Sequence, residues 1–295
     1  MLNRRHFLVA SAAAIASASP VLTGCRLGGS RSTMPAARLT SIGLAGPLSM
    51  ARQAADAGGE HIEEAVGQFL MPSKSDQVFK AKLREARDAP LPVIACRSFV
   101  PGRLKSVGPD ADHDGVLAWA AIAFERAERA GVATIVFGSG GSRRVPAGFD
   151  PVVASDQFVE LLERMAPLAQ CHGVLVAIEP LRPQEVNFLN RLGEGAAIAR
   201  RVNHPSIRLA ADLYHMLQAG DAPSAICDAG PLIGHTHIAE SKGRSTPGVH
   251  GEDFRPYLSA LKGAGFIGPM SIEGKWQTAE LARGFEVVRE QWVEA

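Results

Sequence analysis

The sequence predicts an α/β fold of the (β/α)₈ barrel class, the TIM barrel, formed by a single domain at residues 38–295. Short apolar segments occur eight times along this part of the chain, and amphipathic stretches separate them. Because most of these segments are continuous apolar runs, they are typical of parallel strands that are buried on both faces. Eight such strand–helix units in about 250 residues match the size of a closed barrel.

The predicted strands are short segments bounded by polar or glycine-containing loops. They are residues 39–46, 59–66, 91–100, 132–140, 173–180, 207–214, 232–240 and 268–274. A doubly wound open sheet is the alternative arrangement of such units. It is disfavoured because the only glycine-rich turn near a strand, GSGGSRR at 138–144, lacks the GxGxxG spacing of a dinucleotide site.

Apolar residues spaced near 3.6 positions predict helices between the strands. The clearest predicted helices are residues 114–131, 155–173, 193–203 and 254–266. Gly131 and Gly173 are typical helix ends, and Ser155 or Asp156 is expected to cap the start of the second helix.

Residues 1–24 predict a twin-arginine signal peptide, with Arg4 and Arg5 before an apolar run rich in alanine and serine. The run is shorter than the ~20 residues of a membrane span. The sequence LTGC, ending at Cys25, resembles a lipobox and predicts a lipid on the Cys25 thiol; simple cleavage near this point is the alternative. Residues 25–37 are expected to form a flexible tether. The protein is therefore predicted to be exported to the periplasm and anchored there by lipid.

The charge balance disfavours a nucleic-acid partner. The whole chain carries a formal charge of +1, which Arg4 and Arg5 supply, since the remainder is close to neutral. Contact with a membrane is expected only through the signal peptide or the lipid anchor. Three further cysteines, Cys96, Cys171 and Cys227, lack CxxC spacing and are expected to be buried and free, with one disulfide left open.

The last four predicted strands each end in residues that can bind a metal ion. These residues are Glu179, Asp212 with His215 three positions later, His235 and His237, and Glu273. The carboxyl ends of barrel strands share one rim, so we expect these side chains to converge. Three converging carboxylates would repel one another without a cation. Ligation by several oxygens and one nitrogen favours one divalent ion, Mn²⁺ first, with Mg²⁺ or Co²⁺ as alternatives.

Each of these residues also has a structural explanation when it is taken alone. Glu179 and Asp212 could cap turns after their strands, and Glu273 could form an ion pair with Lys275 or Arg283. Of the two histidines on one face of their strand, His235 is expected to be a core residue. The recurrence at four successive strand ends favours a shared metal site.

Five motifs carry a resemblance to a known family. They are IEPLRPQEVNFLN, ADLYHM, HTHIAES, PGVHGEDF and MSIEGKW. Together they resemble the sugar phosphate isomerase/epimerase proteins of the xylose isomerase-like TIM barrel superfamily, and most closely the ketose 3-epimerase type. The resemblance covers about residues 38–290. It implies a metal-dependent sugar isomerase or epimerase that removes a proton alpha to a carbonyl through an enediolate. The implied substrate is a sugar or keto-sugar, and a homodimer is left open.

The resemblance also implies roles for individual residues. The implied metal ligands are Glu179, Asp212, His237 and Glu273. Glu179 and Glu273 would also act as the acid and base on opposite sides of the substrate. Glu185 would bind the first hydroxyls of the substrate, and His215 would hold an oxygen near the carbonyl.

Two loop positions depart from the family pattern. Related epimerases have an arginine six residues after the histidine ligand, where this chain has glycine; Arg244, one position later, is the expected equivalent, and Lys242 is the rival. In PGVHGEDF, His250 comes before the usual place of the family's histidine, and Glu252 takes that place. Either the loop or the substrate is therefore expected to differ.

Three further charged residues are candidates for contact with the substrate. Glu64, near the end of the second strand, is expected to line the pocket as a substrate-binding residue. Arg143 and Arg144 could reach a charged substrate, although surface charge is the alternative for both.

Three other functions compete with the isomerase or epimerase. A lyase or hydratase acting on 3-keto-glycosides or keto-sugars would use the same metal site. An endonuclease of related fold is disfavoured by the near-neutral charge. A lipid-anchored protein that binds a sugar without catalysis is the third. The predicted export favours an unphosphorylated sugar over a sugar phosphate.

Overall fold

The computed structural model describes residues 37–295. The predicted signal peptide, Cys25 and residues 25–36 of the predicted tether lie outside the described residues, so the export and lipidation hypotheses stay predictions. Among residues 37–295, no helix has both the length and the apolar character needed to cross a membrane.

The predicted fold class is confirmed: eight parallel strands form a closed barrel in chain order. The strands are β1 Arg38–Ala45, β2 Ile62–Ala65, β3 Val93–Arg97, β4 Thr134–Phe137, β5 Leu175–Ile178, β6 Ile207–Asp212, β7 Ile233–Ile238 and β8 Ile267–Ile272. The ring closes at β1, where Leu44 is paired with Ile62 of β2 on one side and with Ile272 of β8 on the other. Closure leaves no open sheet edge and brings all eight strand ends to one rim.

Helices follow the strands and cover the outside of the barrel. They are α1 Ala51–Asp56, α2 Val66–Phe69, α3 Asp76–Arg87, α4 His113–Ala130, α5 Gly140–Arg143, α6 Pro151–Cys171, α7 Leu192–Val202, α8 Leu213–Ala219, α9 Ser224–Ala229, α10 Arg255–Gly263 and α11 Thr278–Glu294. Short 3₁₀ turns occupy Leu48–Met50 and Gly230–Leu232.

The start of α6 differs from the prediction. The helix begins four residues earlier, at Pro151, and Asp150 is its cap, with a side-chain oxygen that accepts a hydrogen bond from the Val152 amide at 2.8 Å. Ser155 and Asp156 therefore lie inside the helix. Proline at the first helical position loses no hydrogen bond, and the aspartate before it satisfies an unpaired amide, so this earlier start is favoured.

Two groups of side chains fill the space around the sheet. A large apolar cluster packs between the strands and the helices. A small cluster of Val136, Ala177 and Ala210 lies on the other face of β4, β5 and β6. Because successive side chains of a strand point to opposite faces, Glu179 and Asp212 continue the inward series that Ala177 and Ala210 begin.

The three cysteines within residues 37–295 are free, as predicted, but of these only Cys96 is buried. Cys171 and Cys227 are exposed, so the expectation of burial is wrong for these two. Each lies in a helix on the outside of the barrel, Cys171 at the last position of α6 and Cys227 within α9.

Candidate metal centre

The four predicted ligands converge at the carboxyl-terminal rim of the barrel. Glu179 follows β5, Asp212 ends β6, His237 lies in β7, and Glu273 follows β8. One ligand atom from each lies within 4.8 Å of all the others. Three carboxylates and one imidazole form a donor set that suits a hard divalent cation. The arrangement therefore fits the ion that the sequence predicts.

His237 lies at the middle of this cluster. Its Nδ1 atom is 2.8 Å from Oε1 of Glu179, 3.2 Å from Oε2 of Glu273 and 3.8 Å from Oδ2 of Asp212. The histidine is fully buried and the aspartate is 2% exposed. The one nitrogen and the three carboxylates thus share a space that has little contact with bulk water.

Asp212 caps a helix with one carboxylate oxygen and faces the other predicted ligands with the second. Its Oδ1 atom accepts hydrogen bonds from the amides of Tyr214 at 2.8 Å and His215 at 3.2 Å, which caps the start of α8. Its Oδ2 atom faces the cluster instead. The cap fixes the carboxylate in the orientation that metal binding needs.

The electrostatics of the cluster are dominated by burial and by opposite charges. Burial raises the pKa of Asp212, while the nearby His215 and His237 partly oppose that shift. Burial would also raise the pKa of Glu273, but His237 and Arg244 outweigh it and hold this pKa at about 2. Glu273 is therefore ionised at neutral pH, as a ligand or a proton acceptor must be.

Arg244 rather than Lys242 reaches the site. Its Nη2 atom lies 2.8 Å from Oε2 of Glu273 and 3.4 Å from Oδ2 of Asp212, whereas Lys242 is exposed. Arg244 adopts a left-handed backbone with φ of 55°, and Gly243 before it also has positive φ. This turn brings the guanidinium back over the rim. Arg244 therefore reaches the site although it lies one position later in the chain than the arginine of the family pattern.

Glu185 and His215 line the same cavity. Oε1 of Glu185 accepts a hydrogen bond from Nε of Arg182 at 2.9 Å and lies 3.9 Å from Nη1 of Arg244. Nδ1 of His215 accepts one from the Arg182 amide at 3.2 Å, so its Nε2 is left on the side of Arg244. Both residues are held in place by the loop that follows β5.

The cavity at the rim has a volume of about 460 Å³. Part of its wall is the turn after β4, where Gly138, Gly140 and Gly141 present backbone instead of side chains. A Cβ atom on Gly138 would lie 2.2 Å from Oε2 of Glu179, so a larger residue there would displace this carboxylate from its present position. From the sequence, this turn was expected to contribute Arg143 and Arg144 to the cavity, and its glycines were not expected to form the wall.

Arg97 is a cavity residue that the sequence analysis missed. It ends β3, and its Nε atom lies 3.6 Å from Oε1 of Glu273. That nitrogen is buried and has no hydrogen-bond partner among the described residues. The strand sequence VIACR carries the signal, since it places a charged residue at the same rim as the ligands.

Glu64 does not line the cavity, contrary to the expectation from the sequence. Its Oε2 accepts a hydrogen bond from the Leu48 amide at 2.7 Å, and its Oε1 accepts one from the Ala65 amide at 2.9 Å. The pleat of β2 turns Glu64 outward and turns Glu63 into the barrel, where Glu63 contacts His237 at 2.9 Å.

Arg143 and Arg144 do not line the cavity either; they hold the backbone behind it. Nη2 of Arg143 donates to the carbonyl of Glu179, and Nη2 of Arg144 donates to the carbonyl of Glu185, each at 2.5 Å. Arg143 is fully buried, and burial lowers its pKa to about 10.

The loop after β7 is built around two glutamates. Glu240 accepts hydrogen bonds from the amides of Gly248, His250 and Gly251, at 2.6 to 3.0 Å. Glu252 accepts from the amide and the hydroxyl of Ser241, at 2.6 and 2.5 Å. Glu252 thus stabilises the loop, which favours a rearranged loop as the reason for the departure from the family pattern.

The fold and the carboxylate–imidazole cluster define an α/β barrel with a candidate divalent-cation site at its carboxyl-terminal rim. The chain belongs to the xylose isomerase-like TIM barrel family, whose model matches residues 51–291. It is 32% identical over 116 residues to the L-ribulose 3-epimerase of Methylomonas sp. (strain DH-1), a match that covers 39% of this chain and 40% of that enzyme.

A second relative is the ketose 3-epimerase of Arthrobacter globiformis, 29% identical over 135 residues, which are 44% of this chain and 46% of that enzyme. The chain thus spans less than half the length of these two relatives. The crystal structure of the 3-keto-D-glucoside 4-epimerase from E. coli matches with a TM-score of 0.72 at 17% identity, over 86% of this chain and 100% of that one. This likeness supports the fold.

Proposed function

We propose that the protein is a metal-dependent sugar isomerase or epimerase that moves a proton beside a carbonyl group. One observation carries the proposal: the ligand atoms of Glu179, Asp212, His237 and Glu273 lie within 4.8 Å of one another at the floor of an open polar cavity. The names of the curated relatives, a ribulose and a ketose 3-epimerase, agree with this chemistry.

The same four residues would hold one divalent cation, with Mn²⁺ as the expected ion. When bound, the ion supplies positive charge that stabilises the oxygen of a sugar carbonyl as it becomes negative. The donor set has no thiolate, which favours Mn²⁺, Mg²⁺ or Co²⁺ over softer ions.

Glu179 and Glu273 are placed to transfer the proton. They follow β5 and β8, which lie three positions apart in a ring of eight strands, so their carboxylates reach the centre from different sides. One ionised carboxylate can remove the proton alpha to the carbonyl, and the other, once it holds a proton taken from solvent, can deliver it to the opposite face, which inverts the carbon. Return to the neighbouring carbon would instead interconvert an aldose and a ketose.

The cavity residues around this pair would bind the rest of the sugar. Glu185 can accept hydrogen bonds from hydroxyls, and His215 can hold an oxygen near the carbonyl. Arg97 and Arg244 lie on either side of Glu273 and can donate to substrate oxygens. A free sugar or keto-sugar is the substrate class that agrees with the predicted export.

The experiment combines metal analysis with solvent exchange. Protein purified without chelator is loaded with Mn²⁺ and incubated in D₂O with a panel of ketoses and aldoses. Deuterium is expected at the carbon next to the carbonyl, and Glu179→Gln or Glu273→Gln should lower the rate by about 10²- to 10⁴-fold. Glu160→Gln, on the exposed face of α6, serves as the control.

A lyase acting on 3-keto-glycosides would use the same proton abstraction and then expel the aglycone. Including 3-keto-glycosides in the panel separates the two reactions, because release of a free aglycone without epimerised product would favour the lyase. If no substrate exchanges a proton, the proposal of catalysis fails and a sugar-binding role is left.

A further inference from the structure

A buried polar network lies directly beneath the candidate metal centre, inside the barrel. Its middle is Glu63 of β2, which is fully buried. Oε1 of Glu63 lies 2.9 Å from Nε2 of His237, and Oε2 lies 2.8 Å from Nε2 of His235. The hydroxyl of Ser271 lies 2.7 Å from the same Oε2. One carboxylate on β2 therefore contacts three polar groups on β7 and β8.

The three contacts have one consistent set of proton positions. An ionised carboxylate only accepts hydrogen bonds, so each of the three neighbours must donate to it. Three groups that can donate lie within 2.9 Å of the two oxygens of Glu63, which favours the ionised form over one that would bring a further proton into the same contacts. His237 and His235 therefore carry their protons on Nε2, and Ser271 points its hydroxyl proton at Glu63.

The next two contacts in the network follow the same direction. Because the hydroxyl proton of Ser271 is donated to Glu63, the Ser271 oxygen accepts a hydrogen bond from Nε2 of His61 at 3.0 Å. Nδ1 of His61 is then free to accept from the hydroxyl of Ser41 at 2.8 Å. Gly43 makes room for this histidine, because a Cβ there would lie 2.3 Å from the His61 ring. All the donors in the network thus point toward Glu63.

We propose that Glu63 is a positioning residue that fixes the orientation and tautomer of His237, so that Nδ1 is the atom available to the metal ion. This inference rests on the metal centre of the proposed function. With Nε2–H donated to Glu63, Nδ1 is the ring nitrogen that faces the carboxylates of Glu179, Asp212 and Glu273. Carboxylates that hold a ligating histidine in this way strengthen its bond to the ion and orient its ring.

His235 supports this assignment of roles. Its ring is fully buried, and its Nδ1 atom has no hydrogen-bond partner among the described residues. Within residues 37–295, the hydrogen bond to Glu63 is therefore the only one that this ring makes. The rival interpretation is that Glu63, His235 and His237 bind a second ion themselves, since their donor atoms also lie within 4.8 Å of one another.

Calorimetric titration of the metal-free protein with Mn²⁺ tests the inference, using wild type, Glu63→Gln, Glu64→Gln and His237→Asn. Glu64→Gln is the matched control, because it removes a buried carboxylate from the neighbouring position of the same strand. We expect one Mn²⁺ per chain, an affinity about 10- to 100-fold lower in Glu63→Gln, and no loss in Glu64→Gln.

The outcomes separate this inference from the metal centre itself. If His237→Asn loses Mn²⁺ while folded Glu63→Gln binds it like wild type, Glu63 does not position the ligand, although the centre stands. If His237→Asn retains full affinity, the centre of the proposed function is wrong. Two Mn²⁺ per chain in wild type would overturn the positioning role in favour of a second ion.

Nuclear magnetic resonance of the wild-type protein gives a readout that does not depend on the folding of any variant. With ¹⁵N-labelled histidine and Mg²⁺ bound, the ring of His237 should carry its proton on Nε2. A proton on Nδ1 in the loaded protein would overturn the inference.

Discussion

Nη2 of Arg143 donates a hydrogen bond to the backbone carbonyl of Glu179 at 2.5 Å, from a side chain that is fully buried. Its Nε and Nη1 atoms have no hydrogen-bond partner among the described residues. A buried guanidinium with a single hydrogen bond is costly for stability. This arginine is therefore expected to serve the placement of Glu179 more than the stability of the fold.

We predict that Arg143→Met lowers kcat about 10-fold or more, because a small displacement of Glu179 misaligns proton transfer. The free energy of unfolding should stay the same or rise, since removal of a poorly paired buried charge is often neutral or stabilising. Kinetics with an active ketose and urea unfolding check the two parts. Arg164→Met is the control, because it removes an exposed ion pair with Asp114 on the outside of the barrel. A large loss of stability with unchanged kcat would contradict the prediction.

Arg97 lines the cavity and is expected to bind substrate oxygens through its guanidinium group. A hydrogen bond to a charged group contributes about 1.5–3 kcal/mol, so Arg97→Ala should lower kcat/KM by roughly 10- to 100-fold. Steady-state kinetics measure this loss. Arg103→Ala is the control, because the Arg103 guanidinium stacks on the Trp119 ring and does not line the cavity. Equal losses in both variants would show that general charge, and not Arg97 itself, is responsible.

Glu64→Ala tests an expected substrate-binding residue that the structure places outside the cavity. Loss of its bonds to the Leu48 and Ala65 amides should reduce the free energy of unfolding by about 1–3 kcal/mol. KM should not change beyond the experimental error. A clear increase in KM without loss of stability would return Glu64 to the binding site.

The pKa of His61 predicts a pH-dependent contribution to stability. Burial lowers this pKa from 6.5 to about 4, although the charge of Glu63 opposes the shift. Between these values the unfolded chain binds the proton and the folded protein does not, so stability falls as the pH is lowered from 6.5 to 4. The contribution of His61 to the free energy of unfolding is fully present above pH 6.5 and is at most about 3 kcal/mol.

Urea unfolding of wild type and His61→Gln between pH 4 and pH 7 checks this sign. The stability of wild type should decline more steeply toward pH 4 than that of the variant. If the free energies of unfolding of wild type and His61→Gln differ by a constant amount over this range, His61 has the same pKa in the folded and the unfolded protein.

Several features were accessible from sequence because they depend on local patterns. Apolar runs separated by amphipathic stretches predicted all eight strands and the barrel. Glu179 and Asp212 could be recognised because each ends a strand, and strand ends of a parallel barrel must meet at one rim. The start of α6 differs from the prediction because Asp150 and Pro151 form a stronger helix-start signal than Ser155 and Asp156.

The sequence by itself therefore determined the barrel and the four residues that converge at its rim, since both follow from the order of elements along the chain. Only the tertiary structure decided that Glu63 faces inward and Glu64 outward, because the sequence of two adjacent glutamates does not show which of them points into the barrel. The pairing of β2 with its neighbouring strands sets this orientation. The contact of Arg97 with Glu273 likewise depends on residues far apart in the chain, which only the closed ring brings together.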